Sequence, residues 1–253
     1  MTNEKISTED RGFLYGDGLF ETVRVEEGRP RFLERHRRRF VRSAKELGFP
    51  QTSIEEGERS LESLQARPDG LWRITVTRKG EGVFGGGTGT VALRHRPLPT
   101  PSELEGASIT VVEGCYFPGD RLARYKTTSW IRSVHARRVA TARGFDEALM
   151  VSAEGRVGEA SAANVFLRIS GEWVTPVVEG ILPGVLRSFV LDRAMKSGLE
   201  IEERSVLTAD LQTCEAMALT STGRLVTAVA EVDGVELDVE LVEELRDLVT
   251  VET

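Results

Sequence analysis

Cysteine is nearly absent from this 253-residue chain: Cys115 and Cys214 stand alone. Neither belongs to a CxxC or Cys/His ligand spacing, which excludes a disulfide-stapled scaffold and a zinc ribbon. The expected setting is therefore reduced and cytoplasmic. Histidine is as scarce, with His36, His95 and His135. No GxSxG elbow gives any of them a nucleophile to serve and no pair has metal-ligand spacing, so serine-hydrolase and zinc-enzyme readings lose their footing. No apolar run approaches the ~18 residues of a membrane span. The opening MTNEKISTEDRG has neither the basic start nor the apolar centre of a secretion signal. An excess of positive charge is missing too: 33 Lys and Arg against 40 Asp and Glu give −7, which argues against nucleic acid or anionic membrane as partner.

What is present is an ordinary globular composition, 40% apolar and 29% charged, in a chain long enough for one large or two small domains. Gly18 to Val25 reads as a strand, and Leu33, Phe40, Ala44 and Leu47 mark an amphipathic helix over Phe32 to Leu47, stopped by Gly48 and Pro50. Leu71 to Thr77 alternates as a two-faced strand, and a glycine-rich loop from Lys79 to Thr90 precedes a short strand, Val91 to Leu93. That loop lacks the order of a phosphate-binding P-loop or of a GxGxxG turn. A strand over Ala107 to Val112 and a connector around Phe117 to Arg121 end the first half. The expected division is 1–115, a small N-terminal α/β domain; 116–124, a connector; and 125–253, a larger C-terminal domain.

In the second half, periodicity predicts a helix over Thr127 to Arg143 capped by Gly144. Strands follow over Glu147 to Val151, Glu159 to Ile169 and Glu172 to Thr175. Pro183 opens a helix that Gly198 closes, then come a strand over Ile201 to Arg204, a short helix from Thr208, a strand over Ala216 to Thr220 and a final helix near Val239 to Val249.

Only five of the 33 basic residues are lysines. Lys5, Lys45, Lys79 and Lys196 fall in a tail, on an exposed helix face, in a loop and on a last helical turn. Lys126, between Tyr125 and Thr127-Thr128-Ser129, lies where the connector meets a helix. A long-stemmed amine there suits Schiff-base chemistry, although residue context alone still favours a solvated surface lysine. Arg94-His95-Arg96 is a cationic cluster that either holds a carboxylate or closes a strand end. Glu159 leads into small residues and an apolar strand; such a carboxylate either faces solvent or keeps a bound heterocycle's nitrogen protonated. The turn Gly180-Ile-Leu-Pro-Gly-Val-Leu-Arg187 opens a helix whose free N–H groups suit a phosphate, and Thr220-Ser-Thr-Gly223 adds hydroxyls.

Taken in order, Arg11-Gly-Phe-Leu-Tyr-Gly-Asp-Gly-Leu-Phe-Glu21, Glu34-Arg-His-Arg-Arg-Arg-Phe40, Tyr125-Lys126, Gly144-Phe-Asp-Glu-Ala-Leu149, Glu159-Ala-Ser-Ala-Ala-Asn-Val-Phe166 and Leu182-Pro-Gly-Val-Leu-Arg187 resemble the class IV aminotransferases. These are pyridoxal 5'-phosphate (PLP) enzymes of fold type IV. The resemblance implies an α/β (α+β) architecture of two α/β domains with the cofactor between them, and a homodimer. It makes Lys126 the Schiff-base lysine and proton shuttle, Glu159 the partner of the pyridine nitrogen and Arg39 the phosphate clamp. The amides of Val185 and Leu186 and the hydroxyl of Thr222 complete the phosphate cup, and Leu182 packs on the ring. Tyr15, Phe20, Thr22, Arg24 and Arg73 fall at substrate-pocket positions.

Two departures stand out. Ile131 replaces the tyrosine that often follows the lysine by five positions, with Trp130 or Tyr125 as candidate substitutes; Leu186 replaces the helix-opening threonine. Within the family, the Gly-Asp-Gly-Leu-Phe-Glu-Thr-Val-Arg and Lys-Thr-Thr-Ser stretches resemble aminodeoxychorismate lyases best, with Thr22 assisting proton movement. The alternative is an amino-acid transaminase of D-amino-acid or branched-chain type, in which Arg94 belongs to a carboxylate trap. A third possibility is a cofactor-binding relative without turnover. The implied substrate is accordingly an amino acid or aminodeoxychorismate.

Overall fold

The computed structural model describes residues 6–80, 87–100 and 106–250. Lys5, the centre of the glycine-rich loop (81–86) and residues 101–105 lie outside the described residues. The chain divides into two compact units, one of Met1–Leu98 with Tyr125–Trp130, the other of Pro99–Arg124 with Ile131–Thr253.

The first unit opens with a single helical turn, α1 (Arg11–Tyr15), whose N-cap Asp10 accepts the Phe13 N–H at 3.1 Å. Strands β1 (Gly18–Glu26) and β2 (Arg29–Pro30) lead into α2 (Leu33–Glu46) and α3 (Gln51–Glu62), followed by β3 (Gly70–Arg78) and β4 (Thr88–Arg96). The four strands form an antiparallel sheet in the order β2-β1-β3-β4. Strand alternation gives this sheet two chemically different faces. Leu19, Val23, Val25, Trp72, Ile74 and Val76 pack with Phe40 and Ala44 of α2 and with Ile54 and Leu61 of α3. Gly57 permits the helix contact, because a Cβ there would sit 2.2 Å from the Phe40 ring. Helix α3 was not among the sequence expectations.

The second unit contains β5 (Ala107–Glu113), α4 (Ile131–Ala142), β6 (Glu147–Val151), β7 (Val157–Ala160), β8 (Asn164–Ile169), β9 (Glu172–Pro176), α5 (Val185–Ser197), β10 (Ile201–Arg204), β11 (Cys214–Ser221), β12 (Leu225–Val232), β13 (Val235–Glu236) and α6 (Glu243–Thr250). Strand β5, on the N-terminal side of the expected boundary, pairs in parallel with β12 and β6 of this unit. The sheet runs β10-β9-β8-β11-β12-β5-β6-β7, with β13 on β12. Since β7 ends this path yet joins β8 through only Ser161, Ala162 and Ala163, the sheet has to curl back on itself. Leu149, Val151, Leu167, Met217, Leu219 and Val229 fill the core so formed.

Several expected elements differ: β4 outruns the short strand expected over Val91 to Leu93, and α5 opens at Val185 rather than at Pro183. The helix expected from Thr127 begins at Ile131, because Thr127 and Thr128 spend their backbone groups on β1 instead. It buries only Ala136 and Ala140, while Ile131 is 70% exposed. The single strand expected over Glu159 to Ile169 breaks into β7 and β8, since the Ala160 N–H turns back onto the Ala163 carbonyl at 2.8 Å. No helix among the described residues is long and apolar enough to cross a membrane.

Candidate active site

The backbone of Tyr125–Trp130 is laced to the start of β1. The Phe20 N–H donates to the Lys126 carbonyl at 2.9 Å and the Thr128 N–H to the Gly18 carbonyl at 2.8 Å. This pairing leaves Lys126 half-buried, its Nζ 4.5 Å from the Phe20 ring centroid and 4.6 Å from that of Trp130. The two rings meet edge to face at 5.3 Å, so the amine lies against two π-faces that favour its cation. Tyr125 is engaged elsewhere, its hydroxyl donating to Glu46 at 2.8 Å.

On the core side of β1, Glu21 is 2% exposed and receives Arg39 twice, from Nε at 2.9 Å and from Nη2 at 2.5 Å. His36, fully buried, adds Nδ1–H at 2.7 Å. Burial alone raises the Glu21 pKa, but Arg39 and His36 outweigh it and pull the carboxyl down to about 2. Burial lowers the His36 pKa; Glu21 opposes, and the charges of Arg39 and Lys126 add to the lowering. The imidazole is thus a neutral donor to an ionised carboxylate. Arg39, the expected phosphate clamp, is here aimed by a bidentate acid. Sequence reasoning did not single out Glu21; its parity with Leu19 and Val23 on the buried face was the available signal.

In the second unit, Glu159 is held from two directions. Its Oε2 accepts Asn164 Nδ2 at 3.1 Å and its Oε1 accepts the Leu182 N–H at 3.2 Å. The same Asn164 nitrogen donates to the Leu182 carbonyl at 2.9 Å. Helix α5 starts directly after this knot, with Gly184 as N-cap, no side chain capping it, and the amides of Val185 and Leu186 in its first turn. A Cβ on Gly184 would lie 1.9 Å from Asn164 Oδ1, so only glycine lets the helix start approach this close. Thr222 lies just beyond β11, in the turn to β12. Within the second unit, a fixed carboxylate beside an uncapped helix start has the chemistry to face a protonated pyridine nitrogen and a phosphate, so these residues fit PLP. Asn164, which the sequence reading left unassigned, is what orients Glu159.

The residues expected to meet substrate divide. Phe20, Thr22 and Arg24 on β1, Arg73 on β3 and Arg94 on β4 share the sheet face opposite the helices, with Thr22 across from Arg73 and Arg73 across from Arg94. Arg73 stacks on Phe20, its guanidinium carbon 3.5 Å from the ring centroid. Arg24 is tied to Glu26 at 2.6 Å. Tyr15 ends α1, 54% exposed, with the Arg11 guanidinium 5.1 Å from its ring.

Comparison with known proteins gives the family. The family model for class IV amino-transferases matches residues 18–232. A protein of Methanocaldococcus jannaschii provisionally named a branched-chain-amino-acid aminotransferase is 33% identical over 241 residues, covering 91% of this chain and 83% of its own. D-alanine aminotransferase of Bacillus licheniformis is 27% identical, with 90% and 83% covered. Aminodeoxychorismate lyase of Bacillus subtilis is 30% identical over 228 residues, with 81% and 75% covered. The solved 4-amino-4-deoxychorismate lyase of Pseudomonas aeruginosa superposes with a TM-score of 0.81 at 29% identity, covering 96% of this chain and 94% of that one. The two mixed α/β units are those of fold type IV, and the chain belongs to the class IV aminotransferases, PLP-dependent transaminases and lyases.

Proposed function

We propose that this chain is a PLP enzyme in which Lys126 carries the cofactor, and that its reaction is the aminodeoxychorismate lyase reaction, releasing pyruvate and 4-aminobenzoate. The observation that carries the reading is the placement of the Lys126 amine between Phe20 and Trp130, tied by backbone bonds to β1. When bound, PLP withdraws electrons from the substrate carbon that bears the amino group. With PLP bound, Lys126 Nζ would take the proton from that carbon. Glu159, fixed by Asn164 and Leu182, holds a proton at the pyridine nitrogen. Arg39, aimed by Glu21, the amides of Val185 and Leu186, and the Thr222 hydroxyl bind the phosphate, while Leu182 covers the ring. Thr22, beside Arg73 on the open sheet face, relays a proton to the departing pyruvate, and Phe20, Arg24, Arg73 and Tyr15 line the substrate side.

A transaminase is the second reading, favoured by the 33% identity to the provisionally named branched-chain enzyme. In that case PLP would keep the amino group, Lys126 would return the abstracted proton, and the product would be a keto acid. The active species is a homodimer, a reading supported by the exposed apolar side chains of α1, Phe13 at 68% and Leu14 at 47%. Mixing the PLP-loaded protein with aminodeoxychorismate, and separately with L- and D-amino acids plus a keto acid, separates the reactions. Release of 4-aminobenzoate and pyruvate without an acceptor supports the lyase. Amino-donor-dependent keto acid without 4-aminobenzoate makes it a transaminase.

A further inference from the structure

The turn that brings Asn164 back to Glu159 has little apolar packing to hold it. Ala162 at its tip is exposed and Ala163 is half-buried, and a single methyl group on each covers too little area to fix a loop. Polar bonds do the holding. The Ala160 N–H closes the turn onto the Ala163 carbonyl at 2.8 Å, and the Ser161 N–H donates to the Ala148 carbonyl of β6 at 3.1 Å. A side chain adds to these: the Ser161 hydroxyl donates to Glu147 Oε1.

Glu147 is out of pattern where it stands. It opens β6 with the strand parity of Leu149 and Val151, both core residues, and is itself buried. Packing alone would favour an apolar side chain there, because a buried carboxylate must recover its lost hydration through bonds. Oε1 takes the Ser161 hydroxyl and the Ala148 N–H, the latter at 2.9 Å, while Oε2 pairs with Arg137 of α4. Arg137 has 36% of its side chain exposed and so keeps water as an alternative partner, whereas Ser161, 4% exposed, is shut off from it. The carboxylate is therefore needed at the turn more than at the helix.

We infer that Glu147 is a positioning residue for the pyridine-nitrogen site: through the Ser161 hydroxyl it fixes the turn at 161–163, and the turn sets Asn164 and hence Glu159. Glu147 acts only through Glu159. The inference rests on the assignment of Glu159 to the pyridine nitrogen, and it holds for lyase and transaminase alike.

The test titrates cofactor-free protein, followed by absorbance, with PLP and with 1-deazapyridoxal 5'-phosphate. The second compound keeps the aldehyde and the phosphate but has a C–H in place of the ring nitrogen, so it offers Glu159 nothing to bond. The wild type should bind PLP about tenfold tighter than the deaza compound, the size of one charge-assisted hydrogen bond. Ser161→Ala and Glu147→Leu should cut that ratio to about threefold or less. Glu147→Gln should keep most of it, because the amide oxygen still accepts from Ser161. A general loosening of the fold would weaken both compounds alike and leave the ratio unchanged. Glu159→Ala is the reference and should lose the preference altogether. A wild type without the preference, or a Glu159→Ala that keeps it, ends the Glu159 assignment and this role with it. A ratio within twofold of wild type in Ser161→Ala or Glu147→Leu, where Glu159→Ala has lost it, overturns the role of Glu147 alone. Should Glu147→Leu fail to fold, Ser161→Ala decides by itself, since it leaves the pair of Glu147 and Arg137 in place.

Discussion

Asn164 and Glu159, five residues apart, are joined by a 3.1 Å hydrogen bond that a continuous strand would forbid. In an unbroken strand, residues of opposite parity point to opposite faces. The turn at Ser161 to Ala163 resets the parity, and the Leu182 backbone closes the triangle through its N–H to Glu159 and its carbonyl to Asn164.

Asn164→Ala should therefore loosen Glu159 without unfolding the sheet. The expected consequence is about a tenfold weaker hold on PLP, the size of one charge-assisted hydrogen bond. Titration of cofactor-free protein with PLP, followed by absorbance, measures it. A dissociation constant within twofold of wild type would leave Asn164 without a role in orienting the acid.

Lys126→Ala should abolish both the visible band of the bound cofactor and all turnover, because no other described lysine lies beside Phe20 and Trp130. Absorbance and product assays on the same preparation read both effects. Normal turnover in this variant would end the proposed function.

Acid should destabilise the protein in two stages. His36 has a folded pKa below its ordinary 6.5, so the folded state resists its protonation and stability declines as pH falls through that value. Glu21 has a folded pKa of about 2 against 4.5, so its contribution is complete above about pH 4.5 and disappears as pH falls toward 2. Urea melts from pH 7 to pH 3 should show the first stage weakened in His36→Gln. Glu21→Gln, which leaves Arg39 buried beside a neutral group, should cost about 3–5 kcal/mol at pH 7. A variant as stable as wild type would mean that Glu21 is not the partner Arg39 depends on.

Asp10 ties three segments together. Oδ2 accepts the hydroxyls of Thr77 at 2.6 Å and Thr90 at 2.7 Å, and Oδ1 caps α1 through Phe13 at 3.1 Å. Burial works against its charge, but these bonds outweigh it and keep its pKa below the ordinary value. Asp10→Ala should lower stability by about 2–3 kcal/mol. It should also speed proteolysis near residues 79–90, whereas Asp10→Asn, which retains one acceptor, should lose less.

Much of the fold was legible because its cues are local. Glu147–Val151 and Ile201–Arg204 form as strands over the expected spans. Helix α5 ends at Gly198, in the left-handed conformation at φ 82°, because glycine adopts it without strain. Helix α2 also departs little from the expected range, since its apolar stripe sets its length. Helix α3 escaped notice: Ile54 and Leu61 supply few apolar positions, and Gly57, costly in an isolated helix, is needed to seat Phe40. Strand β12 escaped for a related reason, its Leu225–Val232 run being defined by the partners on either side, β11 and β5.

The sequence by itself determined the periodic elements, the caps that end them and the order in which Lys126, Glu159 and the Gly184 turn appear, since each depends on residues close in the chain. It also set the charge pattern that places arginines at alternate positions of β4. Only the tertiary structure decided that Glu21 is buried against Arg39 and His36, that Asn164 reaches Glu159, and that Lys126 begins an extended segment rather than a helix. In each case the deciding contact joins residues separated in the chain or turned out of strand parity. Burial then fixes the outcome, because an ionised carboxylate or an unpaired backbone N–H away from water must find a partner.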